Sequence, residues 1–134
     1  MLNRWIEPEL LKLLESEGVG CIPFSPLAQG MLSDKYLGGI PNDSRAAKPH
    51  GFLKPERLTP ELLKTIGRLN EMAKERGQTL AQMAVAWILR NKEVTTVLIG
   101  ASGFRQIENN VSALSNLTFS QNEICEIDKL CPVQ

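Results

Sequence analysis

What this sequence lacks narrows it before any motif is read. It carries no excess of charge: fifteen Lys and Arg stand against fifteen Asp and Glu, with a single histidine and a pI near 6.6. That balance argues against a dedicated nucleic-acid binder or a protein held on an anionic membrane surface. Long apolar runs are missing too. None approaches the roughly 20 residues that span a bilayer, and Met1–Glu9 has no secretion-signal core. The three cysteines, Cys21, Cys125 and Cys131, are odd in number and lack metal-ligand spacing. They predict reduced thiols in a cytoplasmic protein, not a disulfide scaffold or a metal site. Tyr36 and His50 are the only phenol and the only imidazole. There are no internal repeats and no low-complexity tract. What is present is 43% apolar residues in a chain of 134, enough for one globular domain, too little for two, and incompatible with a disordered chain.

Helical signals dominate. Glu9 to Ser16 places Leu10, Leu11, Leu13 and Leu14 at helical spacing, with Pro8 suited to the first turn and Gly18 to the stop. Thr59-Pro60 reads as a cap and first helical position, before Leu62, Leu63, Ile66, Leu69, Met72 and Ala73 recur at i, i+3, i+4 up to Gly77. Thr79 predicts a third start, with Leu80, Met83, Ala84, Trp87 and Ile88 on one face. A fourth helix is expected from Gly103 to Leu114, with Ile107, Val111 and Leu114 turned inward. The pair Ser120 and Glu123 fits a capping box that opens a fifth, running to about Leu130.

Strand signals are few. Val19–Phe24 and Thr95–Ile99 are continuously apolar runs bounded by glycine or proline, the pattern of parallel strands buried on both faces. The segment from Gly38 to Thr59 shows no periodicity, which predicts a functional lid or a disordered stretch. Two buried-type strands cannot make an independent sheet. Their strand–helix–strand–helix order suggests consecutive βα units of a larger α/β protein, of which this chain is a part.

In such architectures ligands bind at the carboxyl ends of strands. The first run enters Ser25-Pro26-Leu27-Ala28-Gln29-Gly30, with Lys35 close behind. That loop is either a plain turn capping a short helix or a ligand-facing loop. The second run ends in Gly100-Ala101-Ser102-Gly103 and leads to Gln106, Asn109 and Asn110. Here either Ser102 caps a helix, or backbone N–H groups at the helix N-terminus receive an anion such as phosphate. Two such loops at successive strand ends favour a ligand site over two unrelated turns.

The run Pro23-Phe24-Ser25-Pro26-Leu27-Ala28-Gln29-Gly30-Met31-Leu32-Ser33-Asp34-Lys35-Tyr36 closely resembles the loop after the seventh strand of aldo-keto reductases. Gly39-Ile40-Pro41, Asp43-Ser44-Arg45-Ala46, Ala84-Val85-Ala86-Trp87 and Val97-Leu98-Ile99-Gly100-Ala101-Ser102 extend the resemblance over essentially the whole chain. It points to the branch that contains bacterial glyceraldehyde-3-phosphate reductases and potassium-channel β subunits. The resemblance implies the C-terminal part of a (β/α)8 TIM barrel. Residues 1–134 would supply the end of the sixth strand, the seventh and eighth strands, the sixth to eighth helices and a C-terminal helix. Met1 would then be an internal methionine of a longer chain or a start.

The resemblance also implies a cofactor, NADP, with NAD as the second candidate. Phe24 matches the aromatic that stacks on the nicotinamide ring. Ser25, Pro26, Leu27, Gln29 and Gly30 match the loop along the pyrophosphate, and Lys35 a residue that neutralises its charge. Ser44 and Arg45 match a flap over the cofactor. Gly100, Ser102, Gln106, Asn109 and Asn110 match the adenosine and 2′-phosphate end. Two positions depart from the pattern: Gly103, where relatives often carry Arg or another polar residue, and Asn109, commonly Glu. Arg105 is a substitute source of charge. The tetrad of Asp, Tyr, Lys and His that reduces the carbonyl has no match here, and neither Tyr36 nor His50 is assigned a catalytic role.

The resemblance thus implies the cofactor-binding portion of an NADP-dependent enzyme acting on a small carbonyl substrate, inactive as a separate chain. Two alternatives stand beside it: a regulatory, nucleotide-sensing binding protein, and a truncated fragment without function. Neither nucleic acid nor membrane insertion is expected, and association through exposed barrel edges is. Trp87 and Cys21 read as core, and the basic cluster from Arg45 to Arg57 as an exposed flap.

Overall fold

A computed structural model of the chain describes all residues except Asp43, Lys48, Pro49, Gly51 and Gln134, and only the backbone of Arg45. Helix starts follow local hydrogen-bond chemistry. Helix α1 (Leu10–Ser16) ends in a left-handed Gly18. Helix α2 (Pro60–Glu75) begins where the Thr59 hydroxyl accepts from the Leu62 N–H at 3.2 Å. Helix α3 (Leu80–Leu89) opens on a reciprocal box: the Thr79 hydroxyl accepts from the Gln82 N–H, and the Gln82 side chain from the Thr79 N–H at 2.8 Å. Helix α5 (Gln121–Leu130) opens the same way through Ser120 and Glu123. Each box satisfies N–H groups that a helix start otherwise leaves unpaired.

The core lies among α2, α3 and α5. Ile66, Leu69, Met72 and Ala73 of α2 meet Leu80, Met83, Ala84 and Trp87 of α3, with Ile127 and Cys131 closing the cluster. Trp87 is fully enclosed, as its place on an apolar face predicts. The Arg90 guanidinium stacks 3.4 Å from its ring centroid, and Phe119 meets it edge-on at 5.2 Å. Arg4 reaches across the same region, donating to Asp128 at 2.7 Å, to the Cys131 carbonyl at 2.8 Å and to Glu7 at 2.8 Å. Arg76 donates to Glu123 at 2.5 Å and to the carbonyls of Asn116 and Thr118, and lies 3.8 Å over Phe119. It thereby fixes the approach to α5.

Several expectations need correction. The segment from Gly38 to Thr59 is not free of the core: Ala46, Leu53 and Leu58 are seated in it, with 3₁₀ turns at Arg45–Ala47 and Pro55–Arg57. Single apolar residues spaced through a polar stretch anchor it without any periodicity. The two apolar runs pair in parallel, but only through isolated bridges, Cys21 with Val94 and Phe24 with Leu98. Three residues on one run therefore answer four on the other, a bulge-like slip. Pro23 sits at the slip; it accepts from the Leu98 N–H at 2.9 Å and has no N–H to return. Close approach is nevertheless real at the first bridge. A Cβ on Gly20 would fall 2.1 Å from the Thr95 hydroxyl oxygen, so any larger residue there requires the Thr95 side chain to move.

The runs are also not buried on both faces. Val19, Ile22, Phe24 and Leu98 are all exposed, and Cys21 is half-buried rather than core. The fourth helix, α4 (Phe104–Val111), is shorter than expected and continues as a 3₁₀ turn over Ser112–Ser115. Its apolar stripe faces outward: Ile107, Val111 and Leu114 are between 45% and 58% exposed. Among the described residues no element covers these faces, so apolar periodicity there has no partner to pack against. No helix among the described residues is long and apolar enough to cross a membrane.

Candidate functional site

The loop that follows the first run is held in an uncommon backbone. Ser25, Ala28 and Gln29 all have positive φ, at 55°, 47° and 61°, followed by Gly30 at 95°. Non-glycine residues in this region cost roughly 1–2 kcal/mol each, and such strain gathers at sites where geometry serves binding. The loop is tied down by N–H donation from Ala28 to the Ser25 carbonyl and from Leu32 to the Leu27 carbonyl. Ser33 then donates its hydroxyl to the Gly30 carbonyl at 2.6 Å and caps the 3₁₀ turn Asp34–Tyr36, which carries Lys35.

Opposite it, the second run ends at Gly100. Gly103, not Ser102, is the residue that precedes α4, and it brings no side-chain cap. The Ser102 N–H donates instead to the Gln106 side-chain oxygen at 2.9 Å. Asn109 turns toward the start of α3: the Gln82 amide donates to its side-chain oxygen at 3.1 Å, and its own amide donates to the Thr79 hydroxyl at 3.3 Å.

Between these walls lies a cleft of about 1110 Å³, larger than the roughly 300–1,000 Å³ of sites that hold compact small molecules. Twelve of the fourteen residues singled out from the sequence line it: Phe24, Ser25, Pro26, Leu27, Gln29, Gly30, Lys35, Gly100, Ser102, Gln106, Asn109 and Asn110. The Phe24 ring is 78% exposed, an open aromatic face at the cleft wall. Ser44 is not brought to the cleft; it is fully buried, and its hydroxyl has no hydrogen-bond partner among the described residues. The side chain of Arg45 lies outside the described residues.

Several lining residues carry no mark in the sequence motifs. Asn70 and Lys74 come from α2, and Thr79 from the start of α3. Asn70 is buried within the apolar stripe of α2. Lining charges are Lys35, Lys74 and Arg105 against Asp34 alone, so the cleft favours an anion. Tyr36 borders the cleft yet is buried in the core, and His50 is exposed on its loop. Burial pushes the Cys131 thiol up, which makes it a poor nucleophile.

Comparison with known proteins gives the same direction. The model of the aldo/keto reductase family matches residues 1–131. The chain is 52% identical over 133 residues to an L-glyceraldehyde 3-phosphate reductase of Escherichia coli O157:H7, covering 96% of this chain and 38% of that protein. It is 40% identical over 111 residues to a probable voltage-gated potassium channel subunit beta of Arabidopsis thaliana, covering 81% of this chain and 34% of the relative. In fold it is similar to an aldo-keto reductase from Klebsiella pneumoniae solved in complex with NADPH. There the TM-score is 0.68 at 23% identity, over 99% of this chain and 37% of that one. The chain thus spans little more than a third of the length of the proteins it matches.

Proposed function

This chain belongs to the aldo/keto reductase family, and from that premise we propose that it forms the C-terminal part of a (β/α)8 barrel and supplies its NADP-binding cleft. The observation that carries this reading is convergence. Two loops more than seventy positions apart, each at the carboxyl end of an apolar run, form one cleft with an excess of cations. The outward apolar faces of Val19, Ile22, Leu98 and α4 then mark where the rest of such a barrel packs.

The residues present fit the cofactor on three counts. The cleft has the volume for a dinucleotide, its lining cations suit phosphates, and Phe24 offers an open ring face on its wall. Bound there, the nicotinamide would supply a hydride to a carbonyl carbon. The work of this chain is positional: Phe24 would hold the ring flat, Lys35 would neutralise the pyrophosphate, and Ser102, Gln106, Asn109 and Asn110 would hold the adenosine end. Proton donation to a small aldehyde or ketone falls to groups this chain does not offer. Tyr36 is committed to the core, and His50 is not among the described residues that line the cleft. Free cysteines fit a cytoplasmic setting.

The test uses the purified chain with NADPH and a panel of aldehydes. Binding of NADPH without aldehyde-dependent oxidation is expected; turnover with any aldehyde, or no binding, contradicts the reading. A nucleotide-sensing binding role, favoured by the similarity to a channel β subunit, predicts the same binding. It parts from the enzyme reading when the remaining barrel residues are supplied, since only the enzyme then turns over.

A further inference from the structure

Several cations of this chain have carboxylate partners. Arg4 pairs with Glu7 and Asp128, Arg68 with Glu71 and Glu126, Arg76 with Glu123, Arg90 with Glu7 and Lys92 with Glu15. Lys74 has no ion pair among the described residues, yet it lines the cleft. Its place along α2 can be read turn by turn. Gly67 lies against Leu37 beside the Asp34–Tyr36 turn. Asn70 follows one turn later at the cleft wall, and Lys74 one turn beyond that on the same face. The chain then turns at Gly77 and presents Thr79, which is hydrogen-bonded to Asn109. Lys74 therefore stands toward the Asn109 end of the cleft. Arg105, one α4 turn before Asn109, lines the same end and likewise makes no ion pair among the described residues.

We propose that Lys74 is a specificity-determining residue that selects the phosphorylated dinucleotide over the unphosphorylated one; this rests on the cofactor reading above. NADP and NAD share every group except one phosphate on the adenosine ribose. A cation at the adenosine end, supplied by α2 and not by either motif loop, distinguishes them by charge. Because Lys74 is exposed, water and salt screen it, and the discrimination it gives is about fivefold at low salt and smaller at high salt.

Calorimetric titration of the full chain with NADPH and with NADH tests this, using wild type, Lys74→Gln and Lys74→Arg. Thermal melts are run alongside to establish that each variant folds. The proposal expects Lys74→Gln to weaken NADPH about fivefold and leave NADH unchanged, with Lys74→Arg close to wild type. An equal loss for both nucleotides places Lys74 on the shared pyrophosphate and overturns the proposal, as does no change for either. Wild-type chain that binds neither nucleotide overturns the cofactor reading, and this inference with it.

Discussion

Around Trp87, helices α2, α3 and α5 enclose an apolar cluster and pair nearly every cation near it. Across the molecule, the runs at 19–24 and 95–99 and the outer face of α4 are as apolar in sequence, yet Val19, Ile22, Leu98 and Ile107 face outward. The two regions also differ in backbone and charge. One is built from capped helices; the other has left-handed Ser25, Ala28 and Gln29 and the cleft-lining cations Lys74 and Arg105. Stability is concentrated in the first region, and the proposed ligand recognition in the second. Substitutions can separate them.

The largest effect is expected at Trp87. Trp87→Ala removes the centre of the closed region, including its stacking with Arg90 and its edge contact with Phe119. It should cost about 3–5 kcal/mol in chemical denaturation. A loss below 1 kcal/mol would mean that the helices do not fold as one cooperative unit around it.

Next comes Arg76. Its guanidinium ties α2 to Asn116, Thr118 and Glu123, and Arg76→Met should destabilise by about 2–3 kcal/mol. Acid should reproduce part of this. Burial raises the pKa of the Glu123 carboxyl, but the Ser120 N–H and Arg76 outweigh it and hold the group below its ordinary value. A carboxyl depressed on folding adds stability above its unfolded pKa, near 4.3, and loses it as pH falls through the folded value. Melting temperature should therefore drop below pH 4.5 in wild type, and less steeply in Glu123→Gln.

A smaller effect of opposite sign is expected at Gln29. Gln29→Gly relieves a left-handed residue and should raise stability by about 1 kcal/mol, while weakening nucleotide binding because Gln29 lines the cleft. If both rise together, the strained loop is not shaped for the ligand.

The closed region was largely legible in the sequence, and the open one only in its loops. Thr59, Thr79 and Ser120 announce helices because a cap is satisfied within three residues, so no distant part of the chain is needed. Trp87 was legible from apolar spacing alone. The exposure of Ile107 and Val111 was not, because periodicity says which residues share a face and not whether anything covers it. Ser44 stood in a motif and is nonetheless buried away from the cleft, while Ala46, Leu53 and Leu58 anchor a segment that shows no period. Lys74 and Asn70 escaped because nothing in a helix sequence marks a polar residue that borders a distant loop. Gly20 required the close approach of Thr95, a contact more than seventy positions away.

The most direct test is a paired measurement on Phe24→Ala: NADPH titration by calorimetry, with denaturation of the same preparation. Phe24 is exposed and lies on the cleft wall, so stability should change by less than about 0.5 kcal/mol while NADPH affinity falls at least about tenfold. An unchanged affinity, or a loss of affinity matched by a loss of stability, would contradict the division between a closed core and an open dinucleotide cleft.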